Sequence, residues 1–139
     1  MSDYEQVLYE TRGPVARVTL NRPRYLNAQS RQLREEMDHA FDQAVDDPDI
    51  RVIVLAGAGE HFSSGHDLGT PEERRDQAER PYPQGARGNF ERAWELNVEN
   101  SLRWRDLPKP TIAEVQGYCI FGGWIMSQVD IAGGVVAAR

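Results

Sequence analysis

Apolar positions recur along the chain with two different periods, and the changes of period mark out its elements. Residues 5–9 and 15–20 alternate apolar with polar side chains, as half-buried strands do, and Arg12, Gly13 and Pro14 lie between them. This predicts a hairpin or two adjacent strands, with a plain turn at Gly13-Pro14. Asn21, Arg22 and Pro23 end the second strand, and residues 24–27 read as a loop. Ser30 can cap a helix, because its hydroxyl can accept from an N–H of the first turn. Leu33, Met37, Ala40, Phe41, Ala44 and Val45 follow at helical spacing and give that helix one apolar face. Pro48 stops it within Asp46-Asp47-Pro48-Asp49, since the residue before proline is driven away from helical dihedrals. Residues 51–56 then form a short apolar run with the β-branched content of a buried strand. Strand, helix, strand in that order predicts a βαβ unit with a parallel sheet.

The second half is more polar. Residues 71–80 are charge-rich and helical by propensity, with Pro71 suited to a first turn, and read as a solvated helix with mixed-sign pairs. Residues 81–89 form a Pro/Gly-rich loop long enough to move or to cover a cleft. Helical spacing returns over 90–106 through Phe90, Trp94, Asn97 and Ser101, with Val98, Leu102 and Arg105 alongside. Trp94 and Trp104 read as core or interface residues. Pro108 and Pro110 end that helix, residues 111–116 form another strand, and a short helix begins near Gly122.

Composition narrows the class. With 139 residues, 40% hydrophobic and 27% charged, the chain is of globular type and long enough to bury one core. The net charge of −6 and the lack of a basic cluster with interleaved aromatics argue against nucleic-acid binding. No apolar run approaches a membrane span, so no membrane partner is expected. The single cysteine, Cys119, excludes an internal disulfide, suits a reducing cytoplasm, and reads as a small core residue.

The densest candidate chemistry lies at positions 57–68, G-A-G-E-H-F-S-S-G-H-D-L. A strand that stops in a loop of small residues leaves backbone N–H groups unpaired, and such groups can serve a carbonyl oxygen that turns negative. Gly65 would let a ligand approach the main chain closely. A dinucleotide fingerprint fails because position 62 is Phe, and no Gly-Lys-Ser/Thr follows. Ser63 and Ser64 lack the first glycine of a nucleophile elbow. His39 falls on the solvated side of its helix near Glu35, Glu36 and Asp42. A helix starting at Gly122 would offer N–H groups and partial positive charge to an anion.

Three segments carry a family resemblance. H-F-S-S-G-H-D-L at 61–68 resembles the F-[SA]-[SA]-G-x-D-L loop of the crotonase (enoyl-CoA hydratase/isomerase) family. N-R-P-R-Y-L-N-A at 21–28 resembles its N-R-P-x-x-x-N-A. P-K-P-T-I-A-E-V-Q-G-Y-C-I-F-G-G at 108–123 resembles its K-P-x-I-A-x-V-x-G-x-x-x-G-G-G. The resemblance implies an α/β fold, the N-terminal portion of the crotonase-type ββα spiral, as one incomplete domain over residues 1–139. It implies an acyl-CoA thioester as ligand, with coenzyme A part of the substrate and neither a separate cofactor nor a metal. The N–H groups of His66 and Gly122 would hold the thioester carbonyl and stabilise an enolate oxyanion. By analogy with other oxyanion holes each such donor is worth about 2.7–4 kcal/mol. The CoA would run along Arg24, Tyr25, Leu26 and the loop Ser64, His66, Asp67 and Leu68, past Gly122. Arg24 would contact phosphate or stack on adenine, or be an exposed loop arginine. The side chain of His66 reads as a pocket wall more readily than as an acid or base.

The chain departs from the family pattern in places. Ile125 stands where the family's first catalytic glutamate falls, and Ile cannot move a proton; the second glutamate would lie past Arg139. Phe121 replaces the first glycine of the triplet, and Trp124 follows Gly123. Glu114 is a carboxylate close in sequence whose strand position leaves its direction open. Val129-Asp130-Ile131 resembles the family's next strand. The leading expectation is a family enzyme of the hydratase or isomerase type, a homo-oligomer (trimer or hexamer) for a full-length parent. The alternative is a truncated, non-catalytic member that only binds acyl-CoA or associates with other subunits.

Overall fold

The computed structural model describes residues 4–127 and 137–138. Two strands open it, β1 (Val7–Arg12) and β2 (Val15–Leu20), paired antiparallel from Val7↔Leu20 to Arg12↔Val15. A single 3-10 turn (Pro23–Tyr25) leads to helix α1 (Arg31–Asp46) and then strand β3 (Val52–Gly57), which is parallel to β2. Helices α2 (Pro71–Glu79) and α3 (Gly85–Ala93) follow. A π-helical segment (Trp94–Glu99) carries α3 directly into α4 (Asn100–Arg105). Strand β4 (Thr111–Val115), helix α5 (Gly122–Ser127) and the two-residue strand β5 (Ala137–Ala138) complete it. The five strands lie in chain order, and all pairs after β1–β2 are parallel.

Helix α1 forms where cap, stripe and stop coincide. Ser30 Oγ accepts from Leu33 N at 3.0 Å, and the helix ends at Asp47, just before Pro48. Its buried face of Leu33, Met37, Ala40, Phe41 and Ala44 packs on the sheet residues Ala16, Val18, Leu20, Ile53 and Leu55. Phe62 and Trp104 close the same core, Trp104 meeting Phe41 edge-on at 6.4 Å.

Several expectations shift. Strand β1 begins at Val7, not residue 5. Strand β3 is not buried on both faces: Ile53 and Leu55 are in the core, while Val52 and Val54 are half-buried on the other side. Helix α3 starts at Gly85, so the Pro/Gly segment is a short turn, with Gln84 taking the N-cap position. The helix expected over 90–106 is therefore longer at its start and widened to π geometry in the middle. Helix α2 is not simply solvated, because Glu73 is buried, accepting from Arg31 N at 2.9 Å and from Gln77 Nε2 at 2.8 Å. Trp104 is core, whereas Trp94 is exposed, and Cys119 is half-buried against the core. The strand expected at 129–131 lies outside the described residues. Among the described residues, no helix is long and apolar enough to cross a membrane.

Candidate active site

The 57–68 loop is stitched between two other loops. On one side, Ser64 N donates to Leu26 O at 2.9 Å, Gln29 N to Gly65 O at 2.8 Å and Asp67 N to Gln29 O at 3.1 Å. On the other, Phe62 N donates to Gln116 O at 2.7 Å, Ser63 N to Tyr118 O at 2.9 Å and Ile120 N to Ser63 O at 3.1 Å. Gln29 thus bridges the residues on either side of His66 in parallel fashion, which turns the N–H of His66 away from Gln29. The side chain of Asn27 braces the start of the loop, donating to Ala58 O at 2.9 Å and His61 O at 2.8 Å, while its Oδ1 accepts from Arg22 N.

Glycines let the loops touch. Gly65 has φ +97°, and a Cβ there would stand 2.8 Å from Ile120 O and 3.6 Å from Gly122 N. A Cβ at Gly122 would stand 2.5 Å from His66 Nδ1. Gly122 is the first residue of helix α5, and the parallel bridge leaves the N–H of His66 turned away from Gln29. Among the described residues neither residue's N–H has a hydrogen-bond partner. Phe121, where the motif has glycine, holds φ +46°, a region costly for a side chain of its size. Its exposed ring lies edge-on to His66 at 5.6 Å.

His66 and Phe121 border a cavity of about 520 Å³ between α1, the π segment and the loop. A larger hollow of about 820 Å³ opens between α1 and α4 around Trp94 and Trp104, but none of the motif-loop residues line it. In the smaller cavity His66 Nε2 bonds Asn97 Oδ1, and Nδ1 is buried without a partner among the described residues. With Asn97 Oδ1 as acceptor, the ring carries its proton on Nε2. Burial, then the nearby Arg34, lowers the His66 pKa against the opposing effect of Asn97, so the ring is neutral at pH 7. Buried Arg34 donates to Leu96 O and, at 3.2 Å, to Gln29 Oε1. Leu96 and Asn97 both lie in the π segment and line the cavity.

The anticipated residues divide into groups. Ser64, His66, Asp67 and Leu68 line the cavity, and Gly122 abuts it through His66. Arg24 and Tyr25 border a separate recess of about 250 Å³. Arg24 is exposed, with its guanidinium 5.3 Å from the Tyr25 ring centre, and Leu26 is also exposed. The carboxylate of Asp67 faces inward: it meets Arg22 Nη1 at 2.9 Å, the Thr70 hydroxyl at 2.6 Å and the N–H groups of Gly69 and Thr70. Burial would raise the Asp67 pKa, but the Thr70 hydroxyl, the two amides and Arg22 outweigh it and hold the carboxyl below its usual range. Asp67 therefore fixes the loop with its side chain. Glu114 pairs with Arg17 and does not line the cavity. Ile125 is partly exposed on α5 and carries no proton-transfer group.

Gln29, Arg34 and Asn97 were missed as site residues. Arg34 had a signal, a charge set in the apolar stripe of α1. Asn97, on a helix far along the chain, had none.

A mixed sheet in chain order plus helices, with the 57–68 loop hydrogen-bonded to two other loops, defines a partial crotonase fold. It superposes on an enoyl-CoA hydratase/isomerase structure from Xanthobacter autotrophicus Py2 with TM-score 0.78 and 34% identity, covering 92% of this chain and 45% of that one. The family model for enoyl-CoA hydratase/isomerase matches residues 10–133, and the chain belongs to that family. Two Mycobacterium tuberculosis relatives agree. Enoyl-CoA hydratase EchA19 is 37% identical over 125 residues, covering 89% of this chain, and EchA13 is 36% identical over 138 residues, covering 90%. The chain spans 43% of EchA13 and 44% of EchA19, less than half of either.

Proposed function

We propose that the chain binds an acyl-CoA thioester with the carbonyl oxygen between the N–H groups of His66 and Gly122. These donors stabilise the enolate-like oxyanion that forms when a proton leaves the adjacent carbon. Coenzyme A is part of the substrate, and no other cofactor or metal is invoked. It extends past Ser64, Asp67 and Leu68 toward Arg24, Tyr25 and Leu26, where exposed Arg24 meets phosphate or adenine. A full-length parent would work as a homo-oligomer in the cytoplasm.

The observation that supports this reading is the close approach of the two loops beside a cavity of about 520 Å³, where a Cβ at Gly65 would stand 3.6 Å from Gly122 N and one at Gly122 would stand 2.5 Å from His66 Nδ1. The reading excludes hydration by the usual glutamate pair, because Ile125 stands at the first position. A second reading, binding without turnover, is favoured by the state of the cavity's carboxylates. Asp67 is tied to Arg22, and Glu73 to Arg31 and Gln77.

Calorimetric titration with butanoyl-CoA tests binding, and NMR loss of its α-proton signals in deuterated water tests enolate formation. Binding with exchange supports the first reading, binding alone the second, and neither would overturn both. Exchange gained in Ile125→Glu would show that the missing carboxylate limited turnover.

A further inference from the structure

Arg34 occupies a stripe position of α1 next to Leu33 and is only 2% exposed. Among the described residues its guanidinium has no carboxylate within ion-pair distance; its partners, Leu96 O and Gln29 Oε1, are neutral. The other deeply buried arginine, Arg22, is paired with Asp67 at 2.9 Å. A buried charge without a counter-charge is costly, and such groups are ordinarily paired. Burial pushes the Arg34 pKa down to about 10, against the weaker fields of Glu73 and others, so it keeps its charge at neutral pH.

Its surroundings point to what is missing. Arg34 Nε–H and Gln29 Nε2 are both buried donors without an acceptor, and both residues line the cavity. Arg92 borders the same space, its guanidinium no closer than 3.9 Å to Glu73. Glu73 cannot turn to Arg34 without giving up Arg31 N and Gln77 Nε2. A hydroxyl or ketone on a ligand would satisfy the two N–H donors but leave the charge unmatched. A carboxylate does both, with charge-assisted hydrogen bonds.

We propose that the cavity takes an acyl group bearing a carboxylate, which seats on Arg34 and Gln29 while the thioester lies at the His66 and Gly122 amides. This rests on the acyl-CoA reading above and narrows it to a substrate class, carboxylated acyl-CoA thioesters.

The test is calorimetric titration of the chain with glutaryl-CoA and pentanoyl-CoA, which share a carbon skeleton and differ in the terminal carboxylate. Succinyl-CoA and butanoyl-CoA form a second, shorter pair. The expected result is binding at least about tenfold tighter for the carboxylated member of one pair. Arg34→Gln should abolish that preference and Arg34→Lys should retain part of it. Equal affinities within both pairs for the unaltered chain would overturn the proposal, whatever the variants do. If no thioester binds, free glutarate separates the two ideas. Glutarate held by the unaltered chain and lost in Arg34→Gln leaves the anion site standing and removes the CoA reading. Failure of glutarate too overturns both.

Discussion

Single residues in the loops work under tight clearances. At Gly65, a φ of +97° and an Ile120 carbonyl 2.8 Å from the would-be Cβ leave no room for any other residue. Gly65→Ala should cost about 1–3 kcal/mol in urea denaturation, from backbone strain and crowding together. Two titrating neighbours act over different pH ranges. Because the Asp67 carboxyl is held below its usual range, its stabilising effect is complete above the unfolded pKa of about 3.9 and fades as pH falls through the folded value. Asp67→Asn should therefore cost on the order of 3 kcal/mol at pH 7, with the difference narrowing under acid conditions; urea midpoints across pH check this. His66 is also depressed, but here the cationic form is the disfavoured one. The unfolded chain binds the proton more readily, so stability falls as pH drops below about 6.5. The same pH series on His66→Gln should lack that component between the unfolded pKa and the lowered folded one.

At the scale of elements, legibility followed locality. Helix α1 could be read because cap, stripe and stop all lie within its own residues. Ser30→Ala should cost about 1 kcal/mol by thermal unfolding, since Leu33 N then loses its acceptor. The 57–68 loop could be located because a strand giving way to small residues has few other fates. Helix α3 was obscured by its Gly-rich start, and the π segment by the fact that an i→i+5 turn leaves no mark in composition. Yet that segment delivers Asn97 to a histidine 31 residues earlier. The burial that keeps His66 neutral and the isolation of Arg34 are likewise tertiary properties, and no local pattern encodes them.

At the scale of the whole molecule, several large apolar side chains stand in solvent. Leu68, Phe90 and Phe121 are 96%, 64% and 75% exposed. Exposed apolar side chains favour association. Sedimentation velocity should show a coefficient rising with concentration, and Leu68→Ser with Phe121→Ser should reduce the rise. The fit between His66 and Gly122 has a consequence for how such a chain can change. Because the imidazole occupies the space an alanine methyl would need at 122, the cost of altering one position depends on the state of the other. Shrinking residue 66 first removes the nearest clash and leaves only Gln29 Oε1, 3.0 Å from the would-be methyl, to give way, while the reverse order meets the imidazole too. The two loops are thus coupled in what each can accept, and stability changes from substitutions at 66 and 122 should not add.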